Sequence, residues 1–93
     1  MEHWNALEFT EFNSIGTGAG AYAFIVAGVV VYIGRSKCMW MRLRNHKLLK
    51  KLRAETEEIA VRISMGWEDY DKEKELVKQY QPRYNCEYID KWK

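Results

Sequence analysis

Four polar or ionisable positions stand where packing alone would not put them. Tyr22 and Tyr32 sit ten residues apart in a stretch that is otherwise nearly all apolar. A short turn between them brings the two phenols onto adjacent strands, where the rings can approach one another. Tyrosine is also a good strand former whose hydroxyl often does no more than reach solvent. Arg42 and His46, four residues apart, share one helical face with Leu49 continuing the line. A solvated face is the default reading of such a pair. Glu73 falls among Tyr70, Leu76, Val77 and Tyr80, which recur at helical spacing and define an expected buried stripe. A carboxylate on that side is costly unless it is paired or binds a metal. An ion pair with a buried arginine and a metal-ligand role fit Glu73 equally.

Charge distribution narrows the partner. The net charge is only +2, yet Arg35, Lys37, Arg42, Arg44, Lys47, Lys50, Lys51 and Arg53 fall in one 19-residue block without an acid. Such a block is the footprint expected of a polyanion ligand. The plain alternative is a solvated helix balanced by acids packed nearby, and charge alone does not separate nucleic acid, membrane surface and acidic protein. With 47% apolar and 30% charged residues in 93, the chain reads as one small globular domain. No apolar run approaches the roughly 20 residues needed to span a bilayer, and Met1–Glu2–His3 does not open a signal peptide. A cytoplasmic location and no membrane partner are therefore expected. Cys38 and Cys86 do not constitute a disulfide framework and are expected to be reduced. A zinc site from Cys38, His46 and Cys86 lacks any paired ligand spacing.

The elements that must position these residues follow from periodicity. Residues 1–15 hold scattered apolar positions without a clean period and read as a short helix or strand packed on the main body. Gly16–Gly20 faintly resembles a phosphate-cradling loop, but it precedes a strand where such loops follow one. From Ala21 to Gly34, β-branched and aromatic residues broken by Ala27–Gly28 predict two strands joined by a tight hairpin. A single helix is expected from Lys37 to Leu52. Glu58–Met65 alternates, with Ile59, Val61, Ile63 and Met65 on one side, and predicts a third strand. A second helix is expected over Glu68–Tyr80, ended by Pro82. The order β-β-α-β-α predicts an α+β domain with a three-stranded sheet.

Taken together, these residues resemble a known family. Gly20-Ala21-Tyr22, then Tyr32-Ile33-Gly34, is similar to the pair of signatures that names the GIY-YIG nucleases. Arg35 follows the second signature, and Arg42 lies eight residues past Gly34. His46 stands where the family carries histidine or tyrosine. Glu73 comes twelve residues before the asparagine of Gln81-Pro82-Arg83-Tyr84-Asn85, a tail especially similar to the nuclease domain of the bacterial excision-repair incision protein. The resemblance runs from Gly20 to Asn85, leaving residues 1–19 as an N-terminal extension packed on the core and 86–93 as a tail. Ala21 departs from the usual Ile or Val. The family fold it implies, a three-stranded antiparallel sheet flanked by helices, agrees with the order read from periodicity.

The resemblance implies hydrolysis of DNA phosphodiester bonds with one divalent metal, Mg²⁺ or Mn²⁺, held by Glu73. Tyr22 is then the group that activates water, with His46 as proton relay, Tyr32 orienting Tyr22 or the water, and Arg42 holding the scissile phosphate. A phenol of pKa about 10 is a weak base at neutral pH, so positive charge from Arg42, Arg35 or the metal must favour its phenolate. Arg35 and Asn85 have supporting roles, Asn85 anchoring the second helix beside the sheet. Lys37, Arg44, Lys47, Lys50, Lys51 and Arg53 would contact DNA. Family members carry a separate recognition domain or dimerise, so a homodimer or a specificity partner is expected here. The competing readings are a catalytically silent nucleic-acid-binding module and a basic subunit that binds an acidic protein.

Overall fold

The computed structural model describes residues 4–8 and 18–87. Its elements are β1 (Asn5–Leu7), β2 (Gly20–Val26), β3 (Val29–Ser36), α1 (Met39–Arg44), α2 (Lys47–Glu55), β4 (Ile59–Met65), α3 (Trp67–Tyr80) and α4 (Arg83–Glu87). The four strands form one antiparallel sheet in the order β1-β4-β2-β3. The predicted α+β class and hairpin are present, but the sheet has four strands, not three, and the element order is richer than β-β-α-β-α. The additional strand, β1, is three residues long with only Leu7 buried, too short for any period to register. It pairs with β4 from Asn5↔Ile63 to Leu7↔Val61. The rest of the glycine-rich approach, residues 9–17, lies outside the described residues.

Ala27 and Gly28 make the hairpin turn, at φ 48° and 80°, the double left-handed geometry of a tight turn whose twist matches that of its strands. From there β2 and β3 pair in register up to Ile25↔Val30, where a bulge intervenes before Phe24↔Tyr32 and Tyr22↔Gly34. The bulge leaves Val31 without a partner of its own. It lets Val31 and Tyr32, neighbours in sequence, both pack against the same core cluster.

Alternation divides the sheet into two faces. Tyr22, Phe24, Tyr32, Val61 and Ile63 lie in one cluster with Met39 and Leu43 of α1 and Leu48, Leu49 and Leu52 of α2. Ala21, Ala23 and Ile33 lie in the other, where Leu76 and Val77 of α3 pack. The helices thus cover opposite faces, and the small side chains at 21 and 23 fall beneath α3. Ala21, the departure from the family signature, is fully buried there.

The helix expected over 37–52 is two. Asn45 caps α1, its side-chain amide donating to the Met41 carbonyl at 3.0 Å, and His46 takes an extended conformation before α2 starts. Asparagine competes for backbone hydrogen bonds in this way. The apolar phase slips as well: Met39 and Leu43 are four apart, but Leu48 follows Leu43 by five. A continuous helix would have turned Leu48 away from the core. Along α3 the expected stripe is only partly right. Tyr70, Glu73, Leu76 and Val77 are half-buried, while Tyr80 is exposed. The helix ends at Gln81, in the left-handed region ahead of Pro82, and the unforeseen α4 follows. Cys38 is a free thiol; the Cys86 side chain lies outside the described residues. Among the described residues, no helix is long and apolar enough to cross a membrane.

Candidate active site

β3 is an edge strand, so groups from both faces of the sheet meet along it. A cleft of about 590 Å³ opens there. Tyr22, Tyr32 and Arg42 reach it from the α1 face. Arg35, Tyr70 and Glu73 reach it from the α3 face. The alternation of β3 makes this possible: Tyr32 and Gly34 point one way, Ile33 and Arg35 the other.

The Tyr22 hydroxyl is the hub. Arg42 donates from Nε to Tyr22 Oη at 3.3 Å, and His46 Nε2 lies 3.1 Å from the same oxygen. Tyr32 lies beside it, the two rings 6.2 Å apart between centroids. Gly34 pairs directly with Tyr22 in the sheet, and a Cβ at residue 34 would meet Tyr22 Cζ and Oη at 2.5 Å. The second signature therefore needs glycine because the Tyr22 ring lies across that backbone.

Burial governs the protonation of this group. It pushes the Tyr22 hydroxyl well above the ordinary phenol value, outweighing the nearby Arg42 guanidinium, which acts in the opposite sense. Tyr32 is raised for the same reason. His46 is fully buried and is lowered to about 3, by burial first and by Arg42 second. Among the described residues its Nδ1 has no hydrogen-bond partner. A Tyr22 phenolate would need positive charge to favour it, but in the free protein desolvation prevails and tyrosine and histidine are both neutral.

Glu73 is not an isolated carboxylate. Its Oε2 lies 3.6 Å from Arg35 Nε, with both side chains partly exposed, and the Arg35 guanidinium covers the Tyr70 ring at 4.5 Å. The two alternatives for Glu73 thus merge, since the pair sits within the cleft. Among the described residues, no three His, Cys, Asp or Glu side chains gather into a metal-binding group. A single carboxylate beside phenols and a guanidinium fits a hard divalent ion that keeps most of its waters and takes phosphate oxygens. It would not suit an ion needing a full protein cage.

Asn85 has a different task from the one expected. It belongs to α4 and bridges β3, accepting from Ile33 N and donating to Ile33 O, both at 2.8 Å. It therefore fastens α4, not α3, beside the sheet. Lys37, Arg44, Lys47, Lys50, Lys51 and Arg53 are all exposed, outside the cleft. Lys51 also approaches Glu55 at 3.5 Å. The basic groups at the cleft that sequence reasoning missed are Lys74 and Lys78. Their four-residue spacing was visible, but the alternating charges of α3 concealed it.

No protein-family profile matches the chain, and no curated protein matches it. Solved structures do. The GIY-YIG N-terminal endonuclease domain of UvrC from Thermotoga maritima, bound to magnesium as its catalytic divalent cation, is 26% identical with a TM-score of 0.60, covering 83% of this chain and 93% of that one. A point mutant of the same domain, bound to its catalytic divalent cation, aligns with a TM-score of 0.63 at 25% identity, over 86% of this chain and 99% of that one. In this chain both signatures lie on paired strands, and the fold that carries them is shared with those domains. Over most of its length the chain thus matches the GIY-YIG nuclease superfamily in fold and resembles it in sequence.

Proposed function

We propose that this chain is a DNA endonuclease that hydrolyses phosphodiester bonds in the cleft along β3. The observation that carries this reading is the convergence of Arg42 and His46 on the Tyr22 hydroxyl, in the same cleft as the Glu73 carboxylate.

Glu73 would hold one Mg²⁺ or Mn²⁺ ion, which when bound supplies charge to polarise the phosphate and stabilise the leaving oxygen. Arg35 orients the carboxylate and is itself held flat on Tyr70. Arg42 binds the scissile phosphate and offsets the charge that grows on it in the transition state. Tyr22 Oη takes a proton from the attacking water as its own passes to His46 Nε2. The neutral tyrosine and neutral histidine of the free protein are the starting state for that relay. The anionic substrate favours the imidazolium it produces, against the desolvation that opposes it. Tyr32 holds the water and the Tyr22 hydroxyl in line. The exposed bases of the turn before α1, of α1 and of α2 draw in the DNA backbone, so Lys37, Arg44, Lys47, Lys50, Lys51 and Arg53 act by charge rather than by reading bases.

The test is nicking of a supercoiled plasmid by the purified chain with Mg²⁺ or Mn²⁺, and its loss on adding EDTA. An intact plasmid with both metals across neutral to mildly alkaline pH would overturn the reading in favour of a binding module.

A further inference from the structure

Trp67, the first residue of α3, is 60% exposed. Its ring meets that of Tyr70 edge to face at 5.2 Å between centroids. Tyr70 lines the cleft under the Arg35 guanidinium, which approaches Glu73 in turn. An aromatic ladder thus leads from solvent to the candidate catalytic carboxylate.

Along α3, residues 67, 74 and 78 fall on one face, because steps of seven and four residues return to nearly the same angle. Lys74 and Lys78 line the cleft, so that face continues from the cleft wall to the indole. At about 1.5 Å per residue, Trp67 stands roughly 9 Å beyond Glu73 along the axis. That is a reach of about three nucleotides at about 3.4 Å per stacked step. The turn that begins at Trp67 is acidic: Glu68, Asp69 and Asp71 follow it in sequence, Glu68 being paired with Lys72 at 3.5 Å. Phosphates are repelled from such a place, whereas the uncharged face of a base is not. A paired base inside a duplex cannot present that face to a side chain at the helix end, but an unpaired one can.

We propose that Trp67 is a stacking platform for an unpaired base of the DNA strand held in the cleft, about three nucleotides from the scissile phosphate. The substrate class is then DNA with an unpaired segment at the cut, such as a flap or a bulge. This inference rests on the nuclease reading for the identity of the cleft's ligand, and it goes beyond it in naming the strand's state and the residue that senses it.

The test uses the full chain and two fluorescein-labelled DNAs, a fully paired duplex and the same duplex with a short unpaired flap. Binding is followed by anisotropy in EDTA, which blocks cutting. The wild type should prefer the flap. Trp67→Ala should reduce the flap-to-duplex affinity ratio about tenfold, the scale of one base–aromatic stack, and Trp67→Phe should restore most of it. Circular dichroism checks that the variants are folded, as a surface substitution should leave them. An unchanged ratio in Trp67→Ala, or a wild type that nicks plasmid yet binds both DNAs equally, overturns the stacking proposal alone. A wild type that neither binds nor nicks overturns both this proposal and the nuclease reading.

Discussion

His46 Nε2 lies 3.1 Å from Tyr22 Oη inside a fully buried contact, with the imidazole edge-on to the rings of Tyr22, Phe24 and Tyr32. The proposed relay and part of the core are therefore the same set of atoms. Altering the chemistry of this group alters stability too, and experiments must measure both.

Acidification should expose that coupling. The pKa of His46 falls from 6.5 to about 3 on folding, so below pH 6.5 the unfolded chain binds the proton more readily. The contribution of neutral His46 is fully present above about pH 6.5 and is lost progressively as pH falls toward about 3, at roughly 1 kcal/mol per pH unit. Urea unfolding between about pH 5 and 6.5, above most carboxylate titrations, should show stability rising with pH, and His46→Phe should flatten the slope. An equal slope in the variant would assign the effect to other groups.

Glu73→Gln should abolish metal-dependent nicking while leaving DNA binding largely intact, since the amide keeps the shape but is a poor ligand for a hard cation. The variant gives up a partly exposed ion pair with Arg35, so stability should fall by no more than about 1 kcal/mol. Full activity in Mg²⁺ would remove Glu73 from the mechanism.

Gly34→Ala should act as a disguised Tyr22 substitution. Its Cβ would lie 2.5 Å from the Tyr22 ring, and overpacking of this kind costs about 1–3 kcal/mol. In a Tyr22→Ala background the same change should cost much less. A double-mutant cycle by chemical denaturation measures the difference; additive effects would show that the two positions do not collide.

Asn85→Ala removes both side-chain bonds that join α4 to Ile33 of β3. The loss should be about 1–3 kcal/mol, because buried backbone groups of the edge strand lose their partners. Asn85→Asp should be poor as well, since a carboxylate cannot donate to the Ile33 carbonyl. Hydrogen exchange at the Ile33 amide gives a local readout, and unchanged protection there would count against the clamp.

Lys47, Lys50 and Lys51, exposed on α2, should set the salt dependence of binding if the backbone of DNA crosses that helix. Replacing all three with glutamine should lower the slope of log affinity against log salt by about 0.9 for each phosphate that the variant no longer neutralises. Unrelated duplex sequences should weaken alike. If the slope persists in this variant but falls when Lys74 and Lys78 are replaced, the DNA follows α3 instead.

Much of this site was legible in the order of residues along the chain. Local rules placed Tyr22, Tyr32, Arg42 and Glu73 on their elements, since a β-branched run broken at Ala27–Gly28 makes a hairpin and helical spacing puts Glu73 on the inner side of α3. Only the family resemblance singled them out as a site. Three-residue β1 carried no period, and it exists because the edge of β4 accepts it. Whether Arg42 and His46 occupied one helix was decided by the packing of Leu48, Leu49 and Leu52, which takes hold after a break at Asn45. Which faces α1 and α3 cover is a tertiary matter, and it brings Arg35 to Glu73 across an edge strand. The protonation of Tyr22 was likewise beyond local reading. Charge alone argued for a phenolate, but desolvation depends on how completely the chain encloses the hydroxyl, and only the assembled fold determines that.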